Sequence, residues 1–535
     1  MSTPLDRVSF TLDRLWRLCP DLPVLAVQWL EVKYPFLAVQ ERLLREAART
    51  PTGRVHQAHR PLRTIARSVS AACVIAVRGG RCVLLAVYLS LLLLELRLSL
   101  RKPIALLRRR RVDVIAKTWC FDAIRTPDRR DFYYGDFQQR LAARGVPTLL
   151  LCGDGTDGRL SVRRWRAFAK VHAATVEQAA RLPELCLLQP GVPFVMAARQ
   201  LRTALRLAGI FVRARDPLLR QASREALRDC LSRQTMENGL QFWIGRTAVK
   251  TWGARAFVAL YEANSWERCA WWGAKTASAD CRTIGYQHTT IFPNARSLMR
   301  PYVDRRDIRM RLIPDAVLCL GQGTVERLRP GHDPHQVRLV RFGSFRHNGA
   351  HATHPADPIR RAILVTPIGV QSEIALLFRF ISECARRLPG HTCILRAHPA
   401  IPMAKALQGV PRKILELPNV VISDRASINE DFARASILLY RGSSAVFYAT
   451  LHGLLPIYLE AGDVVDQNPL SGFGGWGKRC ASVEQFVGLV AQHERTPAHQ
   501  LAQEWSAAVH AVHDYTGPVE DESIDRFLEV AGLPA

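Results

Sequence analysis

From residue 362 to residue 459 short apolar runs alternate with helical periods, and this alternation restricts the fold more than any other feature of the chain. The runs AILV (362–365), TCIL (392–395), NVVI (419–422), ILLY (437–440) and LPIYL (455–459) are too short for helices and too uniformly apolar for strands with one wet face. Helical patterns occupy 371–387, 428–435 and 444–451 between them. Buried strands joined by crossover helices make a parallel sheet covered on both faces. A second series comes earlier, with strands expected at 112–117, 146–151, 256–261, 282–286, 316–320 and 337–342, a helix at 137–144, and a helix-dominated stretch over 160–250. It predicts a second doubly wound sheet with a long helical insertion. The polar stretch HNGAHATHPADP (347–358) has no apolar period and reads as a linker. The expected architecture is therefore α/β, with two Rossmann-like domains facing a cleft. A basic helical region (1–111) precedes a first domain (112–346) and a second (347–535).

With 535 residues and 48% hydrophobic content, the chain can bury two or three cores and is not a disordered polymer. Its 74 Lys and Arg against 47 Asp and Glu leave a net charge of +27, which attracts nucleic acid, anionic lipid or phosphorylated substrates. Zinc-finger spacing and RNP-like aromatic motifs are missing, so nucleic acid is not an expected partner. An anionic membrane surface is, because CVLLAVYLSLLLLELRLSL (82–100) runs into RKPIALLRRRR (101–111). The uncharged part, 82–94, falls short of the roughly 20 residues that cross a bilayer. A helix lying in the cytoplasmic leaflet is expected; a buried core helix with a solvated basic flank and a single tilted span are the alternatives. The 13 cysteines are scattered singly without a C-x-x-C pair. They read as buried thiols in a reducing compartment, with neither a disulfide framework nor a structural zinc. The first residues, MSTPLDRVSFTLDRLWRL, carry acids and lack the apolar run of a secretory signal. The expected location is cytoplasmic, peripheral on the inner face of the cell membrane.

Two segments place compact polar groups directly after strands. ILRAHPAIP (394–402) puts Arg396, His398 and Pro399 at one strand end. LLYRGSSAVFYATLHGLLPIYLE (438–460) puts Arg441, Gly442, Ser443 and Ser444 at another and closes on Glu460. Ligands of open α/β sheets gather at the carboxyl ends of strands, where loop amides and helix N-termini face an anion. The serines can cap the helix and still offer hydroxyls to a phosphate or ribose, or act as an ordinary cap alone. The pair resembles the HP and SS motifs in the nucleotide-binding halves of bacterial polysialyltransferases, CMP-Kdo capsule transferases and CDP-glycerol glycerophosphotransferases, all of the GT-B fold. The resemblance covers about the last third of the chain. It implies that His398, Ser443 and Ser444 hold the phosphate and sugar of a cytidine nucleotide, with the donor on the second domain and the acceptor on the first.

For transfer to a hydroxyl, a base must take the acceptor proton as the donor phosphate departs. ALYEANSWERCAWWG (259–273) sets Glu262 just beyond a strand end and Glu267 in the first turn of the next helix. Glu262 is the first candidate base, with a cap or ion-pair role as the alternative; Glu267 reads as a partner of the helix dipole. RTIGYQHTTIFPN (282–294) delivers Gln287 and His288 into a loop. The strings YEANSWE and GYQHTT, with KTWCFDAIRTPDRRDFYYGDF (117–137), look like a family of bacterial surface-carbohydrate biosynthesis proteins. By that resemblance His288 is a second candidate base or a phosphate contact; a histidine paired with backbone is the bland reading. In RFGSFRH (341–347), Gly343 and Ser344 follow a strand and can leave backbone amides open to the cleft, and Arg346 can clamp a diphosphate or acidic sugar, although a plain hinge accounts for the segment equally well. DGTDGR (154–159) reads as a turn, not a metal site, and SGFGGWGKR (471–479) as a mobile loop. No metal and no cofactor is called for, since Arg396, Arg441 and the helix starting near Ser443 can balance a leaving phosphate. The expectation is a metal-independent glycosyltransferase that moves a sugar from a nucleotide-sugar donor, CMP-linked by resemblance, onto a bacterial surface polysaccharide or its lipid-linked precursor. A CDP-alditol phosphotransferase and a non-catalytic scaffold of envelope polysaccharide assembly are the alternatives.

Overall fold

The computed structural model describes residues 4–19, 37–49, 61–120, 131–154, 180–262, 264–292, 298, 312–346, 354–399, 401–425, 427–462, 466–473 and 475–534. The turn expected over 154–159 and the linker expected over 347–358 lie largely outside them.

The first sheet contains β1 (Val114–Cys120), β2 (Thr148–Asp154), β3 (Arg181–Pro183), β4 (Ala256–Leu260), β5 (Arg282–Tyr286), β6 (Ala316–Cys319) and β7 (Arg338–Arg341). They run parallel in the order β3-β2-β1-β4-β5-β6-β7. The second sheet contains β8 (Ala362–Thr366), β9 (Thr392–Leu395), β10 (Val420–Ile422), β11 (Ile437–Tyr440), β12 (Leu455–Leu459) and β13 (Lys478–Cys480), parallel in the order β10-β9-β8-β11-β12-β13. Both sheets reverse direction once, between β1 and β4 and between β8 and β11. Each reversal opens a crevice outside the strand ends. The central strands β4, β8, β11 and β12 are buried at every position, as their unbroken apolar runs require. The molecule thus consists of two Rossmann-like domains with a helical N-terminal region, the GT-B arrangement.

Before the first sheet stand α1 (Pro4–Leu18), α2 (Leu37–Arg49), α3 (Pro61–Ser99) and α4 (Arg101–Arg108). The first domain adds α5 (Phe137–Ala143), α6 (Val192–Arg213), α7 (Pro217–Cys230), α8 (Arg233–Trp252), α9 (Ser265–Ala277) and α10 (Gln322–Leu328). The helical insertion is α6 to α8. Asp216 starts α7 by accepting from the Leu218 and Leu219 amides ahead of Pro217, and Ser232 caps α8 through the Thr235 amide. Helices α8 and α9 pack backbone to backbone: a Cβ on Gly273 would sit 2.0 Å from the Phe242 carbonyl oxygen, and one on Gly245 2.2 Å from that of Ala270. On β1, Lys117 is fully buried, with its Nζ 2.8 Å from Glu184 and 3.7 Å from the Trp119 ring centroid.

The second domain carries α11 (Gln371–Arg387), α12 (Met403–Ala406), α13 (Ile428–Arg434), α14 (Ala445–Leu451) and α15 (Val483–Arg495). Then the chain crosses back. Helix α16 (Ala498–Tyr515) stacks Tyr515 on Phe447 of α14, 4.6 Å between centroids, while the Tyr515 hydroxyl accepts from the Ile291 amide of the first domain at 2.8 Å. Helix α17 (Asp521–Ala531) ends on the first domain, where Phe527 meets the Phe137 ring edge-on at 4.9 Å and Asp525 pairs with Arg144 at 3.1 Å. The glycine-rich segment expected to be a loop is turn and bend over 471–473 and 475–477, and its last two residues, Lys478 and Arg479, open the edge strand β13; the sequence carried no sign of the short strand β3. All 13 cysteines stand outside disulfides, with only Cys73 exposed and Cys120 half-buried.

Candidate functional site

The two candidate bases, expected as rivals, stand together. Glu262 follows β4 and His288 follows β5, and the His288 Nε2 is 3.3 Å from the Glu262 Oε1. The other Glu262 oxygen accepts from the Asn264 Nδ2 at 3.0 Å. Glu267 is fully buried beneath them and accepts from the backbone amides of Glu262 and Asn264, so it closes the capping box of α9 and fixes the Glu262 backbone. His288 is mostly buried and Glu262 partly exposed, so the carboxylate is the member that reaches solvent. Gln287 does not join them. Its side chain is completely buried, accepts from the Leu320 amide at 3.3 Å and donates to the Thr289 carbonyl, which ties the ends of β5 and β6 together. Alternation along the extended chain turns Gln287 inward when it turns His288 outward.

Tyr133, which sequence reading missed, packs edge-on against His288 with ring centroids 4.7 Å apart. Asp131 presents it by accepting from the Tyr133 and Tyr134 amides and from the Thr118 hydroxyl. The aromatic cluster FYYGDF (132–137) before α5 was the available signal. The Arg346 guanidinium lies over Phe132 at 4.3 Å and over Tyr133 at 4.9 Å. Ser344 is buried at the domain junction: its amide donates to the Gly517 carbonyl at 2.8 Å, and its hydroxyl lies 3.2 Å from the Tyr448 hydroxyl of α14. The open amide expected there is therefore occupied.

Across the cleft, His398 follows β9 and packs against Gly369, whose Cβ position would fall 3.1 Å from the Nδ1. Burial, reinforced by the nearby Arg346 cation, pushes the imidazole down to about 4. Near neutrality the ring is uncharged and can donate one hydrogen bond. Pro399 beside it is exposed. After β11 the chain turns at Gly442, with a left-handed φ of 62°, into Ser443 and Ser444. The Ser443 hydroxyl accepts from the Ala445 amide at 3.3 Å, whereas Ser444 makes no capping bond with its side chain. Both serines are partly exposed at the strand-order reversal between β8 and β11.

Three of the expected donor residues have ion-pair partners within the second domain. Arg396 donates to the completely buried Asp431 at 2.5 Å and to the Ser423 hydroxyl at 3.1 Å. Arg441 is itself buried and pairs with Glu373 in the first turn of α11 at 2.7 Å. Glu460 pairs with Arg479 of β13 at 2.9 Å. Arg396 and Arg441, expected to balance a leaving phosphate, thus each hold a carboxylate of their own domain, and Arg346 adds a cation beside Tyr133 and His398. No cluster of three or more His, Cys, Asp or Glu side chains placed to hold a metal occurs among the described residues.

No protein-family model and no curated protein matches the sequence. Several solved structures superpose on most of this chain at low similarity. MnaA of S. aureus, solved with UDP, has a TM-score of 0.44 and 10% identity over 79% of this chain and 99% of its own. UDP-GlcNAc 2-epimerase from Neisseria meningitidis, bound to UDP-GlcNAc, has a TM-score of 0.45 and 9% identity over 78% and 99%. The glycosyltransferase SnogD from Streptomyces nogalater has a TM-score of 0.41 and 14% identity over 79% and 100%. Similarities this remote assign neither ligand nor activity to this chain.

Proposed function

We propose that the protein is a nucleotide-sugar-dependent glycosyltransferase acting on a bacterial surface polysaccharide or its lipid-linked precursor. The observation that carries this reading is the Glu262–His288 pair, 3.3 Å apart at the carboxyl ends of β4 and β5, in the cleft where Arg346 neighbours His398 of the other domain. In the proposed step the acceptor oxygen bonds to the anomeric carbon as the bond from that carbon to the donor phosphate breaks. The acceptor proton passes to Glu262, which His288 and Asn264 hold in position. Arg346 stabilises charge growing on the leaving phosphate, while neutral His398 and the hydroxyl of Ser444 donate hydrogen bonds to it. The cytidine preference rests on the resemblance of the His398-Pro399 and Ser443-Ser444 motifs to CMP-donor enzymes.

Thermal denaturation with CMP, UDP and GDP, combined with transfer assays on Glu262→Gln, tests the proposal. CMP should raise the midpoint, because a ligand bound by the folded state alone stabilises it by RT ln(1 + [L]/Kd). Glu262→Gln should retain that shift while kcat falls by roughly 10²–10⁴. If no nucleotide moves the midpoint, the donor site is wrong; if Glu262→Gln turns over normally, the base is wrong.

A further inference from the structure

Helix α3 buries one face and leaves the opposite, equally apolar face open. Cys82, Ala86, Leu89, Leu93 and Leu96 are at most 3% exposed and sit in the first-domain core. The helix is fastened to α6 there, where the Cys82 Sγ lies 3.3 Å from the Gln200 Oε1. At spacings of three, four and seven, Leu84 is 70%, Leu91 62%, Leu94 48% and Leu98 70% exposed, and the stripe continues towards the helix start with Val69 at 57% and Ile65 at 60%. At about 1.5 Å per residue this stripe is about 50 Å long. Arg81 and the partly buried Glu95 border it. Soluble monomers seldom expose so much contiguous apolar surface without a partner for it.

Charge identifies that partner. Just past the end of the stripe the exposed side chains of Arg101, Arg108, Arg109, Arg110 and Arg111 follow, on a chain of net charge +27. A second copy would bring another +27 against this one, whereas an anionic surface is complementary to it. We propose that this face of α3 is a docking surface for an anionic phospholipid leaflet, lying in the interface with its leucines among acyl chains and the arginines of 101–111 on lipid phosphates. The helix lies on the bilayer and does not cross it. By length and composition alone α3, with 39 residues, could cross a bilayer, but its other face is occupied by the protein core, which a span would have to leave. The proposal is independent of the glycosyl-transfer reading and needs no turnover to be tested.

The test is co-sedimentation of the full chain with vesicles of phosphatidylcholine alone and of phosphatidylcholine mixed with phosphatidylglycerol. Binding to the mixed vesicles is expected, weakened but not abolished by raised salt, because charge attraction is screened and apolar insertion is not. Arg108→Gln/Arg109→Gln/Arg110→Gln should lower the partition coefficient roughly a hundredfold, about fivefold per arginine near an anionic surface. Leu84→Asn/Leu91→Asn/Leu98→Asn changes solvent-facing positions and should abolish binding with the unfolding midpoint retained. Failure to bind the mixed vesicles overturns the proposal. So does equal binding to both vesicle types, or a wild-type dimer that the leucine variant converts to a monomer, which would make the face a contact between copies. Resistance of the vesicle-bound protein to alkaline extraction overturns it in favour of a spanning helix.

Discussion

Arginine placement shows how a site residue is chosen within a strand-end loop. Arg396, Arg441 and Arg346 all follow strands at the cleft edge, yet Asp431 and Glu373 capture the first two inside the second domain. A strand-end position is legible in sequence; the buried carboxylate waiting for the side chain is not, because it comes from a helix far along the chain. Glu262, His288 and His398 were legible because each must follow a strand to reach the cleft at all. Their pairing was not, since it depends on the register of β4 against β5. The state of His398 carries a measurable consequence. Burial holds His398 and His493 down to about 4 from an ordinary 6.5. Between those values the unfolded chain binds protons that the folded chain refuses, so stability is retained above 6.5 and lost as pH falls towards 4. Urea midpoints should therefore drop between pH 7 and pH 5, by less in His398→Gln. An unchanged drop in that variant would show that His398 is not buried in its neutral form.

Among elements, β4, β8, β11 and β12 were legible to within a residue because they are buried at every position, which forces continuous apolar runs, whereas β1 and β2 run two to three residues later than expected. The edge strands β3 and β13 read RLP and KRC, and three residues without an apolar run leave no pattern to find. The closest helix contact was equally silent in sequence, although it rests on two named glycines. Adding a methyl at Gly273 or Gly245 drives it into a carbonyl of the facing helix, and backbone cannot step aside as a side chain can. Gly273→Ala should destabilise the protein by about 1–3 kcal/mol or more by forcing α8 and α9 apart. Gly209→Ala in α6, which meets nothing within 4 Å, should be neutral or stabilising by roughly 0.5–1 kcal/mol. Chemical denaturation of the two variants checks the contrast, and equal effects would mean that the helices do not approach so closely.

At the level of the whole molecule, the strand orders make both sheets open their crevices towards one cleft, and the chain spans that cleft twice. The second crossing ends in α17, whose Ile524, Phe527 and Leu528 are completely buried in the first-domain core. Full burial of such a side chain contributes roughly 1.5–3 kcal/mol. A chain stopped after Gly517 should thus lose its cooperative thermal transition or unfold at a much lower temperature, and a peptide of residues 518–535 added in trans should restore it. A truncated chain that melts like the full one would show the helix to be dispensable. The same crossing limits how this molecule can be rebuilt. Its donor half is not a cassette: a chimera that exchanges the second domain at a single junction near residue 347 imports a foreign α17 against Phe137 of the first domain unless that last helix is kept native. Recombination that respects the architecture needs two junctions, one before β8 and one after α16, so the half that would carry nucleotide specificity can be exchanged only as an insert within the other.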